Sequence, residues 1–277
     1  MKTIVNKLNE QLVFVILILS AWPLIGHTAV MIGGTRFIFN ENSERSLSVL
    51  VRNTDSTQML VQSKVLADNT PGNTKNNDEV SKTKIPFVAT PPLLQLRGKK
   101  ENYIRLIRTD GMLPSDRESL FQLSVAFIPS GMPSGDDVQV AIRSRYKLIN
   151  RPSGLNGDPK QAYQQLKWQR HGSSVTVENP TPYYVTLFQM VVNEKLQPAE
   201  GVVAPFGSRT ESWCPKNGGC SLKWQSLDDL GTPTPAWVIT PSGIANIGKA
   251  IANTSSVATL KQPDEKNSEA HSSPILP

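Results

Sequence analysis

Cysteine and histidine are scarce. The 277 residues hold two cysteines and three histidines. His27, His171 and His271 lie far apart, and Cys214 and Cys220, in W-C-P-K-N-G-G-C, have no histidine near them, so no zinc ligand set is recognisable. Their spacing is not C-x-x-C, which argues against a redox pair. The chain also lacks a G-x-S-x-G elbow and an H-E-x-x-H helix. His171 is the one histidine inside the region expected to fold. These absences predict a protein that is not an enzyme and has neither cofactor nor metal. Aromatic residues make up 6% and charged residues 19%. No Lys/Arg-rich run interleaves with aromatics, so nucleic acid is not an expected partner. The stretch G-I-A-N-I-G-K-A at 243–250 approaches a phosphate-binding loop. Ala250 stands where a magnesium-holding Ser or Thr belongs, and the surroundings are strand-rich rather than βαβ.

Long apolar runs are missing too, with one exception. Leu12 to Leu19 is unbroken and apolar, preceded by Lys2 and Lys7 and followed by Ala21-Trp22-Pro23. The run is too short for a comfortable membrane span. It fits a cleaved secretory signal over residues 1–28. Removing them takes away Lys2, Lys7 and Glu10, two cations and one anion, which lowers the net charge of +6 by one. A modest positive balance favours acidic partners where it favours any. A secreted chain meets an oxidising compartment, so Cys214 and Cys220 are expected to close a small disulfide loop.

Short alternating runs broken by turn residues fill the chain from residue 32. Seven stand at 35–39, 47–51, 59–62, 87–90, 103–107, 120–127 and 138–149. A polar stretch rich in Asn, 68–84, reads as an exposed loop, and Pro91-Pro92 ends the fourth run. With no long helical period, this predicts an antiparallel sandwich. Pro152-Ser153-Gly154 and Asn156-Gly157-Asp158-Pro159 then break the pattern. A second β region follows, with runs at 166–168, 174–177, 184–187, 201–203, 221–224 and 236–239. The expected organisation is a domain over 29–151, a second over 152–241, and a polar tail over 242–277. That tail is expected to be disordered after at most a short helix.

One run stands apart: V-Q-V-A-I-R-S-R-Y-K-L-I-N-R-P at 138–152. Val138, Val140 and Ile142 alternate onto one face, and Arg143, Arg145, Lys147 and Arg151 follow. On a generic sandwich such cations would simply guard an edge strand against unwanted pairing.

Together with other ordered motifs, this stretch gives a more specific resemblance. They are G-G-T-R-F-I-F at 33–39, T-P-P-L-L-Q-L-R-G-K-K-E-N at 90–102, L-P-S-D-R-E-S-L-F at 113–121, I-P-S at 128–130, N-P-T-P-Y-Y at 179–184 and L-D-D-L-G at 227–231. From about Ala29 to Ile239 the chain resembles the PapD-like periplasmic chaperones of the chaperone–usher pathway. The resemblance implies an all-β fold, two immunoglobulin-like sandwiches set at an angle with a cleft between them. It implies a periplasmic location and two kinds of partner, pilus subunits bound one to one and an outer-membrane usher. The chaperone lends a strand to an incomplete subunit, and donor-strand complementation is a recognised form of strand addition. Val138, Val140 and Ile142 match the donor-strand anchors. Arg36 and Lys147 match the residues that hold the subunit's C-terminal carboxylate. Glu118, Arg151 and Asp229 match an interdomain ion network. By simple alternation Lys147 faces away from Val138, which predicts a bulge or strong twist between them. An exposed apolar edge is also expected to be hidden in the free protein, for example by self-association. The alternative reading is a secreted immunoglobulin-like adhesin or a structural pilus subunit.

Overall fold

The computed structural model describes residues 30–42, 45–68, 85–130, 139–197 and 201–251. The expected signal segment, most of the 68–84 loop, Val138 and the chain beyond 251 lie outside them.

Among the described residues nine strands build the first sandwich: β1 (Val30–Ile32), β2 (Arg36–Asn40), β3 (Ser46–Asn53), β4 (Met59–Ala67), β5 (Phe87–Thr90), β6 (Leu93–Leu96), β7 (Glu101–Arg108), β8 (Ser119–Pro129) and β9 (Ile142–Arg151). One sheet runs β1-β3-β7-β5 and the other β2-β9-β8-β4-β6. The alternation of β8 shows why the sequence folds this way. Phe121, Leu123, Val125 and Phe127 point into the core with Val49, Val51, Ile104, Leu106 and Leu148. Leu120, on the opposite face, joins a separate cluster. Pro91 and Pro92 end β5, as proline must when a ladder needs an N–H. The chain then re-enters the opposite sheet as β6, where Ser63 accepts the turn by donating from N to Pro92 O and from Oγ to Pro91 O.

The second sandwich holds β10 (Lys167–His171), β11 (Ser174–Glu178), β12 (Val185–Val192), β13 (Lys195–Leu196), β14 (Gly201–Val203), β15 (Ser208–Glu211), β16 (Leu222–Gln225), β17 (Trp237–Ile239), β18 (Asn246–Ile247) and β19 (Lys249–Ala250), with one 3-10 turn at Ala162–Gln165. Its sheets run β15-β11-β10-β18 and β13-β12-β16-β17-β19, with β14 on β12. Trp168 and Trp224 are fully buried at its centre, ring centroids 4.9 Å apart. Cys214 and Cys220 are joined and belong to this core.

The expectation of a tail without order from 242 is not met up to Ile251, and no helix starts it. β18 pairs with β10 in one sheet and β19 with β17 in the other, so a five-residue segment closes both. The step between them is Gly248. A methyl there would overlap Trp224 Cη2 and lie 3.1 Å from Val238 O. The phosphate-loop reading of 243–250 fails for the same reason: these residues are sheet edge, not a loop opening a helix.

Candidate functional site

β2 lies parallel to β9, with Arg36 opposite Lys147, Ile38 opposite Ile149 and Asn40 opposite Arg151. Paired residues share a face. Phe37 and Leu148 therefore enter the first core, while Arg36, Ile38, Lys147, Ile149 and Arg151 turn toward the second domain. Ile149 and Leu120 bury against Val202, with Ile38 and Tyr184 alongside. This small apolar contact is the floor on which the two sandwiches meet.

Polar bonds surround it. Arg36 is only 8% exposed. Its Nη1 donates to Leu227 O at 2.7 Å and Asp228 O at 3.0 Å, and its Nη2 donates to Thr186 Oγ1 at 2.7 Å. Burial pulls the Arg36 pKa down, against the fields of Asp229, Glu118 and Asp228. The loop at 227–231 is pre-shaped for this grip. Asp228 Oδ1 accepts from the N–H groups of Leu230 and Thr232. Gly231 has φ +84, and a methyl there would overlap Thr35 Oγ1, so glycine is needed both for conformation and for approach.

The three acidic and basic residues matched to an ion network lie together. Arg151 donates from Nε to Glu118 Oε1 at 2.6 Å and from both terminal nitrogens to Asp229 at 2.7 and 2.8 Å. Glu118 is 3% exposed. Its Oε2 accepts from Tyr184 N at 2.7 Å, and its own N–H donates to Pro182 O at 2.9 Å. Burial pushes the Glu118 carboxyl up, against the pull of Arg151 and the Tyr184 N–H. Burial also opposes the Arg151 charge, but the bonds with Asp229 and the field of Glu118 outweigh it and hold that guanidinium firmly protonated. The motif at 179–184 presents this donor and this acceptor because Asn179 Nδ2 donates to Tyr183, Val203 and Ala204 carbonyls while its Oδ1 accepts from Thr181 N and Oγ1. Arg117 adds a stack over Phe206, 4.9 Å from its centroid. Pro182 O and the carbonyls of Leu227 and Asp228 escape residue-by-residue reading because backbone acceptors have no sequence signature, and Thr186 because a lone threonine in a strand run carries none.

The front of β9 differs from its back. β2 covers only Lys147 to Arg151. On that side no strand among the described residues pairs with Ile142 to Tyr146, although β8 pairs with Ile142 to Asn150 on the other side. Ile142 is 50% exposed and Val140, just ahead of the strand, 66%. No bulge interrupts β9 itself; the bulge or strong twist expected between Val138 and Lys147 is counted from a residue outside the described ones. The β8–β9 register is unbroken from Phe127↔Ile142 to Ser119↔Asn150. Ile142 and Lys147 therefore do lie on opposite faces. No conflict results, because an added strand places alternate side chains on one face and its chain end in the plane between both.

The comparisons with known proteins agree on one family. Residues 29–156 match the family described as "Pili and flagellar-assembly chaperone, PapD N-terminal domain", and residues 161–237 match "Pili assembly chaperone PapD, C-terminal domain". The fimbrial chaperone YcbF of Escherichia coli K12, itself uncharacterized, is 43% identical over 82% of this chain and 93% of its own length. The chaperone FimC of the same strain is 34% identical over 74% and 82%. Among solved structures, the Salmonella enterica SafA pilin in complex with the SafB chaperone aligns with TM-score 0.66 and 28% identity over 78% of this chain and 97% of that one. The E. coli chaperone DraB aligns with TM-score 0.62 and 32% identity over 76% and 96%. The chain belongs to the PapD-like family of pilus-assembly chaperones. The adhesin or structural-subunit alternative is not favoured, since both halves match chaperone domains.

Proposed function

We propose that this protein is a periplasmic chaperone that completes pilus subunits with its own β9 edge, binds them one to one, and passes them to an outer-membrane usher. The observation that carries the reading is the uncovered edge of β9 in line with β2. β2 runs parallel to β9. A strand laid ahead of β2 with its C-terminus toward Arg36 also runs parallel, and its terminal carboxylate arrives between Arg36 and Lys147. A buried carboxylate needs paired cationic donors. Val138, Val140 and Ile142 would enter the subunit's groove from the opposite face. Glu118, Arg151 and Asp229 would hold the angle between domains 29–151 and 152–241. In this reading the protein has no catalytic role, and residues 1–28 are removed on export.

The test is subunit yield. Arg36→Ala and Lys147→Ala are each co-expressed with a subunit from the same source, and periplasmic subunit and chaperone are measured by immunoblot. Loss of a paired charge should cost on the order of 2–5 kcal/mol in binding, enough to abolish protection. Normal subunit yield at normal chaperone level in both variants would sink the clamp.

A further inference from the structure

The cleft-side face of the five-stranded sheet carries more cations than the clamp uses. Arg143 and Arg145 precede Lys147 at two-residue steps, so all three share its face, spaced about 7 Å apart. The unbroken register puts Arg143 in one row with Ala126 and Gln62, and Arg145 in the next with Ser124 and Lys64. Among the described residues neither row contains a carboxylate. Arg143 reaches only neutral oxygens, Ser124 Oγ at 3.5 Å and Gln62 Oε1 at 3.3 Å. Among the described residues, Lys64, Arg143 and Arg145 take part in none of the ion pairs. On this side Asp68 accepts from Gln122, in the row of Lys147.

These cations flank the uncovered edge. Edge guarding alone does not require three like charges in adjacent rows, since like-charged neighbours repel. Resting on the reading proposed above, we infer that the face is matched to an acidic subunit: one whose terminal strand carries Asp or Glu at the two alternate positions level with Arg143 and Arg145. In a parallel pair those side chains stand on the same face as the arginines, within reach of charge-assisted bonds. The anchors on the other face would supply apolar contact that any subunit shares, and the cations would select among subunits.

Synthetic peptides test this. Three have the same alternating apolar residues and a free C-terminus, and carry Glu, Gln or Lys at the two intervening positions. A fourth repeats the Glu peptide with an amidated end. Binding to the mature protein is followed by fluorescence anisotropy. Two or three partly exposed pairs should favour Glu over Gln by roughly tenfold at low salt, and the preference should fade as salt rises. The triple variant Lys64→Gln, Arg143→Gln, Arg145→Gln should bind Gln and Glu peptides alike, with wild-type affinity for Gln. The pair Arg143→Lys, Arg145→Lys should keep the preference. Equal binding of Glu and Gln peptides to the wild type overturns the inference. If amidation still weakens binding in that case, strand addition stands without it. If no peptide binds and amidation changes nothing, both fail. Binding of anionic lipid vesicles that the triple variant loses, with no Glu preference, would reassign the face to a membrane surface.

Discussion

Arg36 and Thr186 join the two sandwiches through one bond, from Nη2 to Oγ1 at 2.7 Å. The arginine proposed to receive a subunit's carboxylate is therefore held and aimed by the second domain. Thr186→Val keeps the shape and removes the acceptor. A buried donor left without a partner costs about 1–3 kcal/mol. The variant should melt a few degrees lower. It should also bind subunit more weakly than wild type, yet better than Arg36→Ala, because the Leu227 and Asp228 carbonyls still hold Nη1. Equal binding by Thr186→Val and Arg36→Ala in a co-purification assay would contradict this order.

Gly248 is where one segment steps from one sheet of the second domain to the other over Trp224. Gly248→Ala should force the segment off Trp224 and unpair β18 or β19. A shift of about 1–3 kcal/mol is expected from overpacking a fully buried ring. Differential scanning calorimetry should show the second domain melting earlier, while Gly243→Ala, which has open space around it, leaves the melt unchanged.

Val140 is two-thirds exposed and contributes nothing to the core. Val140→Asp should leave the melting curve intact and abolish subunit protection, since a charge in an apolar groove has no partner. Gln139→Asp, on the opposite alternation, should do much less. Equal loss from both, or unfolding of the Val140 variant, would show that the segment does not donate its apolar face.

Cys214 and Cys220 close a loop of six residues' separation. Cross-linking so short a loop should be worth about 2 kcal/mol. Cys214→Ser, Cys220→Ser should lower the melting temperature of the second domain by roughly 10 °C, and subunit binding at low temperature should persist. Unchanged melting on reduction of the wild type would refute a structural role.

Alternation made the long strands legible. β8 buries Phe121, Leu123, Val125 and Phe127 in strict alternation, β3 buries Val49 and Val51, and β7 buries Ile104 and Leu106. β15 was invisible because Ser208-Arg-Thr-Glu has no apolar residue; its place is set by pairing with β11. β6 was hidden behind two prolines that end one strand and steer the chain into another sheet. β18 and β19 are too short and polar to show a period, and only the tertiary fit of Gly248 against Trp224 reveals them. At the site, the charged residues could be named from ordered motifs. Thr186 and the carbonyls that bind Arg36 could not, since the carbonyls are aimed by the way the 227–231 loop closes on itself and Thr186 is brought to Arg36 only by the packing of β12 against the first domain. The expectation of a bulge or strong twist assumed that anchors and cations must face the same way; β9 runs from Ile142 without a bulge, and the geometry does not need one.

β2 begins at Arg36 and occupies the line that an added strand would use. It is thus an end stop on a rail. A strand laid against β9 can advance only until it meets β2, so its side chains are counted backward from its last residue. One extra residue at that end would push the strand back by one position and turn every side chain to the wrong face. The edge measures as well as binds, and the measure is built from the chaperone's own second strand.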